Sequence, residues 1–261
     1  MLVRGDGLLV GQPAHAWVSG QLARAWGNAA FPPPAPREPF CLAAEQHDVG
    51  WADVDLAPRA GPDGRPLSFM EQPRPAHVAI WRDAARRLLA QSRYAALLVS
   101  LHGTSLYARV DPDAEPPDAA AAIRDYLAGE RALQSQLAAG LDPAEVDSNR
   151  RLLLALDRLS LMLCYERATT IEDVPSASGP ATLRLEPAGE DGGEPGPGVR
   201  DDRAVPPATA AARFTLDPWP FAADAVVVGC EARRLEDPGG DLRAALAAAP
   251  WVPLRWQLSR G

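Results

Sequence analysis

Apolar residues recur at helical spacing through roughly the first two thirds of the chain and alternate with polar ones in the last third. Residues 1–12 predict a short strand or hairpin that turns at Gly5-Asp6-Gly7. A helix follows over 13–27, with Pro13 suited to its first turn and Gly27 to its stop. A second is carried by Phe40-Cys41-Leu42-Ala43-Ala44 and stops at Gly50. Residues 52–75 lack periodicity and predict a long loop, of the length often used as a lid. Helices are predicted over 75–91, 93–107 and 117–139. The clearest start signal comes next: Asp142 as N-cap, Pro143 in the first turn and Glu145 completing a capping-box pattern, for a helix running to about Thr169. Residues 187–207, dominated by Gly, Pro, Glu and Asp, predict a flexible linker. Beyond it, 214–216, 225–230 and 254–258 predict strands, with 182–185 as a fourth and a short helix at 240–248. The pattern contains no internal repeat. The expected fold is mainly α: a helical core over 1–175, with a small antiparallel β appendage over 176–261 packed on it.

Charge and composition exclude several partners. The net charge is -8 and the chain contains no lysine, so every long basic side chain is arginine. An acidic chain without a basic run is not expected to bind nucleic acid or an anionic membrane surface. No N-terminal apolar run has signal-peptide length, and the longest apolar stretch is broken by Asp157-Arg158, so no membrane span is expected. Cys41, Cys164 and Cys230 are far apart in apolar segments and predict buried thiols in a reducing, cytoplasmic setting.

The chemistry concentrates in few residues. The only histidines are His15, His47, His77 and His102, each beside apolar neighbours, and His47 is followed by Asp48. Asp157 interrupts the most apolar helix, Leu152 to Leu163, where a buried carboxylate costs several kcal/mol unless something pairs with it. Its neighbour Arg158 projects about 100° away on a helix, which leaves a metal as the other partner. Neutral imidazole and carboxylate suit zinc, iron, manganese or nickel. Trp51 and Trp81 lie four residues after His47 and His77 and share their helix faces, as pocket lining or as core. In the long loop, Arg59, Arg65 and Arg74 are the cations nearest in sequence, and Arg74 is the one singled out for a substrate anion.

In chain order these residues are His, His-Asp, His, His, Asp. The order resembles the HD superfamily of helical metalloproteins in its six-ligand, two-metal form, over about residues 10–168. The resemblance implies that His15, His47, Asp48 and Asp157 hold one metal. It implies that His77 and His102, with Asp48 bridging, hold a second. More closely, the chain looks like a bacterial family of unknown function related to that superfamily. The shared features are the His47-Asp48-Val49-Gly50-Trp51 motif, an apolar helix ending in Leu101-His102, and Asp217-Pro218-Trp219-Pro220-Phe221. One or two divalent ions are thereby implied: iron, manganese, zinc, nickel or magnesium. Two divalent ions against two carboxylates leave a net positive site that takes a small anionic substrate and activates a water. The first expectation is a phosphohydrolase with Asp48 and His47 as catalytic residues. The alternatives are a diiron oxygenase with the same ligand order and a non-catalytic metal-containing binding protein.

Overall fold

The computed structural model describes residues 1–188, 211–236 and 241–261. Its helices are α1 (Gln12–Ala25), α2 (Arg37–Gln46), α3 (Ala52–Leu56), α4 (Arg74–Leu88), α5 (Arg93–Leu106), α6 (Pro117–Leu137), α7 (Pro143–Tyr165) and α8 (Leu242–Ala248). Its strands are β1 (Leu2–Val3), β2 (Leu8–Val10), β3 (Thr169–Val174), β4 (Ala181–Pro187), β5 (Ala212–Asp217), β6 (Ala225–Arg234) and β7 (Trp251–Arg260). Among the described residues, no helix is long and apolar enough to cross a membrane.

The strands form one seven-stranded sheet in the order β1-β2-β6-β7-β5-β4-β3. This overturns the expectation of a mainly α, or all-α, protein with a small C-terminal antiparallel appendage. The sheet is mixed, because β5 and β7 run parallel, and it recruits both N-terminal strands: Leu8 pairs with Arg234 and Leu2 with Val10. There are two reasons for the difference. β1 and β2 form the hairpin expected over residues 1–12, but its pairing with β6, more than 200 residues away, leaves no local signal. At the other end, α7 stops earlier than its apolar pattern suggests. Glu166 takes a left-handed conformation (φ 53), the Glu166 N–H donates to Leu163 O, and the Arg167 N–H donates to Met162 O. That Schellman closure frees 169–174, expected to be in part helical, to become edge strand β3. Of the expected linker, 189–207 lie outside the described residues, while Pro187 is paired with Phe214 in the sheet.

α1 joins the two halves of the structure. It packs against α2, α7 and β6. The Gln21 carboxamide on α1 donates to Gly229 O at 2.8 Å and accepts from the Gly229 N–H at 3.0 Å. It thereby acts as a one-residue strand on the side of β6 that β2, paired only at Arg233 and Arg234, leaves uncovered. One continuous apolar core runs from Val18 and Leu22 of α1 through Leu153 and Leu156 of α7 to Phe214, Trp256 and Leu258 of the sheet. A smaller cluster, Val78, Trp81, Tyr107, Ile123 and Tyr126, ties α4 to α5 and α6. Cys41, Cys164 and Cys230 are buried and free.

Candidate metal centre

Two adjacent residues on a regular helix diverge by about 100°, so His47 and Asp48 need a break to face one point. The break is present. α2 ends at Gln46, His47 is its C-cap, and Asp48 (φ -103, ψ 18) turns the chain into a single 3₁₀ turn over Val49–Trp51. Gly50 is expected as a helix stop; the structure gives it a different task. A Cβ at Gly50 would meet the Ile80 carbonyl of α4, so the absence of a side chain lets this turn press against the neighbouring helix.

His15 on the first turn of α1 and His47 are held alike. His15 Nδ1 lies 3.0 Å from Gln12 O, and His47 Nδ1 lies 2.9 Å from Ala44 O. A carbonyl only accepts, so each Nδ1 carries a hydrogen and Nε2 is the nitrogen that each ring turns toward the site. Both Nε2 atoms are buried without a hydrogen-bond partner, as are Asp48 Oδ1 and His102 Nδ1. Imidazoles and carboxylates alternate around a ring. His15 Nε2 is 3.2 Å from Asp48 Oδ2 and 3.3 Å from Asp157 Oδ1. His47 Nε2 is 3.4 Å from Asp157 Oδ1 and 3.7 Å from Asp48 Oδ2. An ion with donors about 2.1 Å away keeps adjacent donors roughly 3.0–3.4 Å apart. The ring contacts are therefore compatible with a bound metal ion. His102 Nε2 lies 3.7 Å from Asp157 Oδ2, the other oxygen of that carboxylate. Two overlapping triads, His15/His47/Asp48 and His47/His102/Asp157, each bring their ligand atoms within 4.8 Å.

Electrostatics gives the same picture. Burial raises the Asp48 carboxyl to about 7, against the pull of His47. Burial opposes charge on Asp157 too, but His47, His102 and His15 hold it well below the ordinary range. Burial works against a proton on His47, yet Asp48 and Asp157 outweigh it and lift its pKa to about 9. His15 and His102, with weaker carboxylate support, are pulled down by burial to about 3 and about 4. Two carboxylates in a closed space draw in positive charge. A proton on His47 supplies some, and a metal ion would supply more.

His77 stands apart. Its Nδ1 contacts the Tyr107 hydroxyl and its Nε2 accepts from the Trp81 indole N–H at 3.4 Å, so both nitrogens are engaged within the protein. Among the described residues, no group brings His77 together with His102 and Asp48. The structure thus associates His102 with His47 and Asp157, where the resemblance implied His77 and Asp48.

A cavity of about 370 Å³ opens over the ring. It is lined by Gln12, His15, Asp48, His102 and Asp157 together with Phe69, Met70, Trp81, Leu106 and Leu161; Trp81 is buried against His102, while Met70 and Leu106 are exposed. Gln72, Arg74 and His77 line it as well. Arg74 is paired with Glu115 at 3.1 Å; Arg59 and Arg65 are not on the wall. Of the two tryptophans, Trp81 lines the cavity. Trp51 is buried behind it, edge-on to His77 at 5.4 Å and to Phe69 at 6.4 Å. Part of the long loop forms a wall, through a 3₁₀ turn at Phe69–Glu71 closed by the Ser68–Glu71 capping box. Sequence reasoning missed Gln12, Gln72 and Tyr107. Gln12, three residues before His15 on the same helical face, was open to detection; Tyr107, distant in sequence from His77, gave no signal.

Residues 1–237 match a family described as Protein of unknown function (DUF3891). The chain belongs to that family. No curated protein and no solved structure matches it. The family description names no activity, so chemistry for its members has to be argued from residues. In this chain the buried His/Asp cluster is compatible with metal binding.

Proposed function

We propose that the chain is a metal-dependent hydrolase acting on phosphomonoesters, with one divalent ion held by His15, His47, Asp48 and Asp157. The resemblance to the HD superfamily supports the chemistry. The observation that carries it is the ring in which the buried, unpartnered Nε2 atoms of His15 and His47 stand 3.2–3.7 Å from carboxylate oxygens of Asp48 and Asp157, beneath an open cavity. A divalent ion bound there supplies a water of near-neutral pKa and an electrophile for a phosphoryl oxygen.

The protein's own residues do the rest. The carbonyls of Gln12 and Ala44 hold the Nδ1–H of His15 and His47, so Nε2 of each ring is the atom turned to the site, free on His15 and available on His47 once its proton leaves. Asp48 and Asp157 balance the charge of one divalent ion, which leaves Arg74 as the cation for a substrate anion. Leaving Glu115 to reach that anion costs Arg74 little, because the pair is partly exposed. Trp81 and Leu161 exclude bulk water from one side of the reacting group.

The test is elemental analysis of protein purified without oxygen, followed by a phosphoester panel with manganese, magnesium or iron. The expected result is bound metal and turnover, both lost in Asp48→Ala. No metal after reconstitution, or turnover that survives Asp48→Ala, overturns the reading.

A further inference from the structure

Resting on the hydrolase reading, we propose that the cavity takes a phosphomonoester whose alcohol portion is compact and apolar, and that it rejects polyanionic phosphates. Charge is the first reason. With one divalent ion, Asp48 and Asp157 bring the site to neutrality. Among the described wall residues Arg74 is the one arginine, and Glu115 already opposes it. A bisphosphate or triphosphate would carry several negative charges into a space that offers a single shared cation.

The second reason is the wall. Phe69, Trp81, Leu106 and Leu161 are its apolar part, and Met70, which is 73% exposed, stands at the mouth with the exposed Leu106. Exposed apolar side chains at the rim of a polar-floored cavity suit a ligand with an anionic head and an apolar body. The neutral polar groups agree. Gln12 is 3% exposed and its Oε1 has no partner, while Gln72 is 7% exposed and makes only a long 3.5 Å contact to Ser68 O. Carboxamides hydrogen-bond a head group without adding charge. Hydrolysis would break the ester P–O bond, form a new P–O bond from water, and return a proton from that water to the departing alcohol oxygen.

The experiment titrates manganese-loaded protein with hexyl phosphate, glycerol 1-phosphate and fructose 1,6-bisphosphate. Tryptophan fluorescence follows binding and phosphate release follows turnover. The two monoesters have similar leaving groups and differ in the polarity of the body. Hexyl phosphate is expected to bind at least tenfold more tightly than glycerol 1-phosphate, with the bisphosphate weakest. Leu106→Ser, a rim substitution, is expected to shrink the hexyl-to-glycerol ratio several-fold. Equal or tighter binding of the bisphosphate or of glycerol 1-phosphate overturns the proposal. Phosphate release without preference overturns it while leaving the hydrolase reading intact. The expected binding order with no phosphate release keeps the ligand class and removes the hydrolase.

Discussion

His15 Nε2 stands 3.2 Å from Asp48 Oδ2, and neither residue is near the other in sequence. One belongs to the first turn of α1 and the other to the break after α2. His15→Ala and Asp157→Ala are each expected to weaken metal binding more than about 100-fold, because each removes a ring member rather than an outer support. His77→Ala is expected to keep the metal, since Tyr107 and Trp81 engage its nitrogens. Metal content by elemental analysis decides this; a variant of His77 that emptied the site would count against the single-ion reading.

Metal uptake should release protons. At pH 7 the metal-free His47 is protonated, its pKa lifted to about 9, and the ion needs the lone pair that this proton occupies. Asp48, raised to about 7, is partly protonated and adds a fraction more. Calorimetric titrations in buffers of different ionisation enthalpy should report release of about one proton or more per ion bound. Uptake that is independent of buffer would show that His47 is not a ligand.

The metal-free protein should lose stability on the acid side of neutrality. His15, His77 and His102 have pKa values lowered by burial to about 3, about 4 and about 4, from an ordinary 6.5. Between about pH 6.5 and 4 the unfolded chain binds more protons than the folded one, so stability falls as pH falls. Each group contributes about 1.4 kcal/mol per pH unit at most. His47 has the opposite sign: its stabilisation is full below its unfolded pKa and is lost as pH rises through about 9. Asp48, raised to about 7, works the other way over the same range, but three rings outweigh one carboxyl, so urea midpoints measured across pH 4–7 should still drop toward acid; a rise would contradict the burial of these rings.

Gly50→Ala should be costly although the position lies in a helical turn. The added methyl meets the Ile80 carbonyl, and backbone has little room to yield. A loss of about 1–3 kcal/mol is expected from such overpacking, with weaker metal binding because Asp48 moves with the turn. Thermal denaturation checks the first effect and metal titration the second.

The helices and the five converging residues were legible from the sequence because their signals are local. Asp157 is conspicuous as a charge in an apolar helix, and His47-Asp48 as an adjacent pair. The strands at both ends of the chain were legible too, but not their union in one mixed sheet, since the pairing of Leu8–Val10 with β6 and of β5 with β7 joins segments distant in sequence. Strand β3 was hidden by the apolar run that precedes it and revealed only by the left-handed turn at Glu166. The separation of His77 from the ring depends on Tyr107 and Trp81 bidding for its nitrogens, a competition among side chains that residue order does not encode.

The clasp between Gln21 and Gly229 bears on how the protein comes into being. All the ring residues have been synthesised once Asp157 is in the chain, yet the helix carrying His15 is fastened to a strand synthesised much later. Pairing of β2 with β6 imposes the same long-range closure. Closing such a large loop is slow, so metal capture belongs to the end of folding. A nascent chain stalled before β6 should hold metal poorly, and release past β7 should restore it. On the proposed reading, the site would begin to compete for free ions only once the whole fold stands behind it.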